Sequence, residues 1–160
     1  MKRRHSFRRL LISPIGLSII AAFRILTAAD DRPSGRNETV EGVVRSLESI
    51  ALEKGVPGDA EALAGLMAVV TTDGRVIPVL SDEGGRVFYL DKAMRDREVR
   101  LKILARPDFP AVEVIQAEVR HEGRWRIPQY YCDVCTISVR YPQICLCCQG
   151  PMEFRYKPER

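Results

Sequence analysis

The chain has 160 residues, 46% of them apolar and 29% charged, values of a globular domain that exclude a wholly disordered or collagen-like chain. Its formal charge of +4 invites a nucleic-acid reading, but residues 1–29 hold six basic residues and no acidic one, and setting them aside leaves 19 basic against 21 acidic, a net of −2. The body thus has no cationic excess to release counterions from phosphate, and no binding to nucleic acid is expected of it.

Lys2, Arg3, Arg4, Arg8 and Arg9 precede a mostly apolar stretch from Leu10 to Phe23, and Thr27-Ala28-Ala29 stands before Asp30-Asp31. A positive segment, a short apolar segment and small residues before a polar start predict a secretory signal peptide over 1–29, cleaved after Ala29. The stretch from Leu10 to Phe23 spans only about 21 Å as a helix, short of a bilayer core of about 30 Å, so no stable membrane span is expected after cleavage. The expected location is exported, periplasmic or extracytoplasmic. Arg8-Arg9-Leu10-Leu11-Ile12 leaves a twin-arginine route open beside the general secretory one. Residues 30–38, polar and turn-rich, predict a disordered linker.

Residues 39–127 read as a β domain. Thr39–Leu47 is a β-branched strand, with Gly42 marking a bend or bulge. Asp59 is placed to cap a short helix ending at Gly65. Leu66–Thr72 and Arg75–Leu80 meet across Asp73-Gly74, which predicts a hairpin with a two-residue type I′ turn; Pro78 puts its strand at an edge there. Val87–Glu98 predicts one or two helical turns, with Leu90 and Met94 as an apolar pair. Val99–Ala105 alternates, with Val99, Leu101, Ile103 and Ala105 inward. In Ala111–Arg120 the apolar parity switches between Val114 and Ile115, which predicts a bulge. Strand, two-stranded hairpin, short helix, strand, strand is the order of an OB-fold, and 39–127 resembles one. OB-folds often hold single strands on stacking aromatics, but Phe88, Tyr89, Phe109 and Trp125 are the only aromatics here, and core packing accounts for them.

All five cysteines lie in the last 29 residues. Cys132, Cys135, Cys145 and Cys148 spell C-x2-C-x9-C-x2-C. Each pair can turn two sulfurs toward one ion, and the doubled pair predicts a tetrahedral four-sulfur site suited to structural zinc. Ile137, Val139 and Ile144 favour a strand hairpin between the pairs, with its turn at Pro142-Gln143. Disulfides are the rival in an exported chain, though five thiols leave one over. Cys147 is the extra thiol, either packed apart or exchanging with Cys145 as ligand, and a Cys-Leu-Cys-Cys run also suits soft Cu(I). A thioredoxin-like role for Cys132-Asp133-Val134-Cys135 lacks the helix N-terminus that lowers such a thiol's pKa, because Thr136-Ile137-Ser138-Val139 favours strand.

The segment 128–157 resembles a zinc ribbon or rubredoxin-type knuckle module, which implies a metal held by those four cysteines. Rubredoxins place Gly directly after each second Cys, whereas Thr136 and Gln149 stand there, which argues against electron-transfer iron. The whole arrangement, with Tyr130-Tyr131-Cys132-Asp133-Val134-Cys135 and Cys145-Leu146-Cys147-Cys148-Gln149-Gly150-Pro151-Met152-Glu153, is similar to a family of exported bacterial proteins that carries no assigned activity. About thirty residues are too few for a core of their own, so Tyr130, Tyr131, Tyr141, Phe154 and Tyr156 are expected to dock the module on the barrel, near Trp125.

No catalytic residue is assigned. Outside the leader the one histidine, His121, sits beside Glu122-Gly123 in a turn, and the carboxylates are scattered with no pair suited to acid–base work. The expectation is mainly β: a small OB-like antiparallel barrel with a short helix, plus a zinc-ribbon-like hairpin. Functionally it is a non-catalytic binding or structural protein, its partner an unidentified protein or envelope component. The alternative is a redox or electron-transfer protein using the same cysteines through rubredoxin-like iron or thiol–disulfide exchange.

Overall fold

The computed structural model describes residues 35–158. The expected leader and the first part of the linker lie outside them. Among the described residues nine strands, β1 (Arg36–Ser46), β2 (Met67–Thr71), β3 (Val76–Val79), β4 (Glu98–Arg106), β5 (Phe109–His121), β6 (Arg124–Arg126), β7 (Pro128–Cys132), β8 (Ile137–Val139) and β9 (Glu153–Tyr156), form two sheets, and three short helices, α1 (Leu47–Glu53), α2 (Ala60–Ala64) and α3 (Arg86–Leu90), lie in the connections. Among the described residues no helix is long and apolar enough to cross a membrane.

The larger sheet runs β3-β2-β1-β4-β5-β6 and closes through a β3–β5 pairing. β1 is central because it is long: Gly42–Ser46 pairs with β2 and Arg36–Val43 with β4. The result is a five-stranded OB-like barrel with β6 added to its edge. It is antiparallel except at its seam, the parallel bridge Val79–Val112. Of the residues expected as a disordered linker over 30–38, Arg36, Asn37 and Glu38 instead belong to β1 and pair with Ala105, Leu104 and Ile103. Gly42 earns its place where both neighbours converge: a Cβ there would lie 2.1 Å from the Val70 carbonyl oxygen.

Alternation in β4 is as expected, with Val99, Leu101 and Ile103 buried. The β5 bulge is present as well. Lys102 pairs with Gln116 and Ile103 with Val114, leaving Ile115 as the extra residue. Ile115 itself turns outward, and the inward set resumes through half-buried Ala117 to buried Val119.

The Asp73-Gly74 loop differs from expectation. Gly74 has φ +85° but Asp73 is not left-handed, and Gly74 N–H donates to Thr71 O while Thr71 N–H donates to Arg75 O, both at 2.9 Å. This is a three-residue loop, a turn followed by a left-handed Gly. Thr71 Oγ1, bonded to the Asp73 carboxylate and to Arg75 O, holds it. Both residues of Glu122-Gly123 are left-handed, at φ 48° and 76°, so the type I′ geometry joins β5 to β6 instead.

Asp59 caps α2 through Glu61 N–H, and Ser46 caps α1 through Ser49 N–H, ending the first strand one residue before the expected Leu47. From α3, Val87 and Phe88 enter the core, whereas Leu90 is exposed and Met94, in the following 3-10 turn, is buried. Arg95 closes α3 by donating to Phe88 O at 2.7 Å and Tyr89 O at 2.9 Å, which satisfies carbonyls left over at a helix end.

Candidate metal centre

The smaller sheet is ordered β8-β7-β9. Its hairpin, β7–β8, folds around the first cysteine pair, with Cys132 opposite Ile137. The expected strand between the pairs therefore ends at Val139: Ile144, Pro142 and Gln143 lie in an irregular loop that carries the second pair, and β9 returns to β7 with Tyr131 opposite Glu153. The ribbon is three-stranded.

The two pairs are built alike. Cys132 Sγ accepts the N–H groups of Cys135 and Val134, and Cys145 Sγ accepts those of Cys148 and Cys147. Cys132 and Cys145 are buried, Cys135 is half-buried and Cys148 exposed. After each pair the backbone turns left-handed, at Thr136 (φ 56°) and Gln149 (φ 59°). These are the positions where the sequence lacks the knuckle glycine. Thr136 Oγ1 donates to Cys135 O at 2.7 Å and Gln149 Nε2 to Leu146 O at 3.2 Å.

The four sulfurs of Cys132, Cys135, Cys145 and Cys148 all lie within 4.8 Å of one another, with Cys132 Sγ 3.5 Å from Cys148 Sγ. Four sulfurs at about 2.3 Å from a shared ion form a tetrahedron with edges of about 3.8 Å, so shifts of about 1 Å or less close the site. A disulfide needs about 2.05 Å. These four cysteines thus form a cluster that can hold a metal ion. The N–H bonds from Cys148 and Cys147 bring the Cys145 thiol down, to about 6. Cys135 is pushed up, first by its contact with the Cys147 side chain and then by burial. At Cys132 the Cys135 N–H bond favours thiolate, but burial and the neighbouring Cys148 and Cys145 thiols outweigh it and the net shift is upward. A divalent ion at the centre would turn all four toward thiolate. Cys147 is exposed and stands outside the quartet, against Cys135.

Rings seat the ribbon on the barrel. Tyr130 is 4% exposed and belongs to the barrel's own core; its hydroxyl donates to Asp91 Oδ2 at 2.5 Å. Tyr141 accepts from Arg86 at 3.1 Å. Tyr156 stacks on His121 with ring centroids 4.5 Å apart and accepts from Arg97 at 3.2 Å. Trp125, expected at this junction, lies between the guanidiniums of Arg100 and Arg120, at 4.9 and 5.0 Å, and no ribbon ring stacks on it among the described residues. Arg155, over the Tyr131 ring, joins Asp133 of the first knuckle to Glu153 of β9.

No protein-family model matches the chain, and no curated protein or solved structure matches it.

Proposed function

We propose that the protein is an exported, non-catalytic binding module whose C-terminal ribbon is organised by one structural zinc ion on Cys132, Cys135, Cys145 and Cys148. The observation that carries this is the repeated knuckle: two Cys-x-x-Cys turns of the same backbone shape, each with main-chain N–H groups on its first sulfur, aimed at one point. N–H donors stabilise thiolates and leave each sulfur lone pairs for metal, while all-sulfur tetrahedral coordination suits zinc and leaves it no open position for substrate. Export is supported by the order of charge, apolar run and small residues in 1–29.

Native and denaturing mass measurement on protein from the extracytoplasmic fraction, beside a free-thiol count, tests the whole reading. Expected are a chain starting near Asp30, one zinc per chain and no disulfide. Cys145→Ser should lose the ion, whereas Cys147→Ser should keep it. Equal loss from both variants would overturn the ligand set, two disulfides without metal would overturn the zinc, and a red iron-loaded protein would favour electron transfer.

A further inference from the structure

β5 has β4 along one edge, from the Val99–Val119 pair to the Arg106–Phe109 pair. Its other edge is covered piecemeal. β3 meets it at Val112. The Asp82 carboxylate accepts the Val114 N–H at 2.9 Å, and Arg140 donates to Ile115 O at 2.8 Å. β6 begins only at Val119. At Gln116 and Ala117 no strand lies alongside on that edge among the described residues. β7 runs out of partner too: β8 stops at Val139, opposite Tyr130, so Pro128 and Gln129 have β9 on one side only. The interrupted edges of β5 and β7 border one cleft of about 230 Å³ between barrel and ribbon. An unpaired strand edge presents main-chain donors and acceptors to whatever lies beside it.

Gln129 lines this cleft and is 9% exposed, yet its carboxamide bonds to no described residue. Neither polar atom of that carboxamide is fully buried, so the group is reached from the cleft and is free to pair there. A carboxamide offers both donors and an acceptor, the complement of a peptide group. Lys157 also lines the cleft, and its ammonium has no hydrogen-bond or ion-pair partner among the described residues. Val87 and Val139 add apolar wall. The volume is below the range of roughly 300–1,000 Å³ usual for drug-sized ligands, and suits one or two residues of extended chain.

We propose that this cleft binds an extended peptide segment bearing a carboxylate: its main chain lies beside β5 at Ala117, whose N–H and C=O face away from β4, a peptide group pairs with the Gln129 carboxamide, and the carboxylate meets Lys157. The mode is strand addition, in which main-chain bonds supply affinity and a pocket supplies specificity. It gives the partner of the binding module a chemistry, and rests on the ribbon being seated on the barrel, not on which ion the cysteines hold. A C-terminal carboxylate and an acidic side chain share this chemistry.

The full chain as purified, isotopically labelled, is titrated with N-acetylated trialanine, its C-terminal amide, and an N-acetylated Ala-Glu-Ala amide, and amide signals are followed by NMR. Saturable shifts are expected at the Gln129 side chain and at the Ala117 N–H group, with the neutral amide about three- to fivefold weaker than a carboxylate peptide. Lys157→Gln should abolish that difference, and Gln129→Leu should weaken every peptide about tenfold. Preference for trialanine assigns the carboxylate to a chain terminus, and preference for the glutamate peptide assigns it to a side chain. No saturable shift at the cleft with either carboxylate peptide, or a neutral peptide binding as tightly as both, would overturn the proposal. Should Gln129→Leu fail to fold, the exposed Lys157→Gln change decides. Signals of Cys145–Cys148 report the metal centre separately, so failure of the zinc reading is distinguishable from failure here.

Discussion

At Thr136 a β-branched residue occupies a conformation that favours glycine. The left-handed region brings Cβ against the following carbonyl at roughly 1–2 kcal/mol per residue, and Thr136 sits there at φ 56°. Its hydroxyl bond to Cys135 O returns part of that cost. Thr136→Gly removes the strain but loosens the unfolded chain, which costs about 0.4–1 kcal/mol. The expected net is a gain of about 0.5–1 kcal/mol, read as a higher denaturant midpoint of the metal-loaded protein. A lower midpoint would mean the hydroxyl bond outweighs the strain. The departure from glycine was visible in the sequence; that the backbone turns left-handed regardless was not, because the turn is imposed by sulfurs converging from two distant segments. Gln129 left no trace in the sequence at all, since its burial is a property of the docked sheets.

At the level of elements, what was legible follows period and parity. The β4 alternation, the β5 parity switch, the Asp59 cap and the order of elements along the chain all depend on residues close in sequence. What was not legible depends on competing local bonds. An Asp-Gly pair signals a tight turn, but at Asp73-Gly74 the Thr71 hydroxyl closes a longer loop, and Glu122-Gly123 takes the two-residue geometry. The ribbon hairpin lies one segment earlier than expected, because Ile144 looks like a strand residue and only pairing with β7 decides which apolar residues become strand. Gly42 shows the stronger kind of sequence signal. A methyl there would meet main chain, the Val70 oxygen at 2.1 Å and Thr71 Cα at 2.8 Å, and main chain in a paired strand yields little. Gly42→Ala should therefore destabilise by about 3 kcal/mol, near the upper end for overpacking, with β1–β2 amides losing exchange protection first. A change below about 0.5 kcal/mol, the scale of a surface substitution, would show that β1 can flex there.

For the molecule as a whole, all described residues fall in one compact unit, and Tyr130 is the side chain that makes barrel and ribbon one core. Burial, then its bond to Asp91, raises the Tyr130 phenol above its ordinary value of 10.0. The folded form thus prefers the proton. That stability is fully present below pH 10, where the unfolded phenol is still protonated, and declines as pH rises past it toward the folded value. Tyr130→Phe should flatten this alkaline decline while costing stability at neutral pH, as followed by thermal melts from pH 8 to 11 on wild type and variant. Parallel alkaline limbs would show that another group controls them. The same strand sets an order of events. β7 and β8 enclose the first cysteine pair in a local hairpin, of a kind that forms in about 1–10 μs, but β9 follows the second pair and reaches β7 only across the loop that bears it. Capture of an ion would then pass through an early stage with two thiolates, from which it still escapes, and a late one in which the last strand shuts behind it. Residence time would be governed by the chain's final strand, and affinity by all four sulfurs.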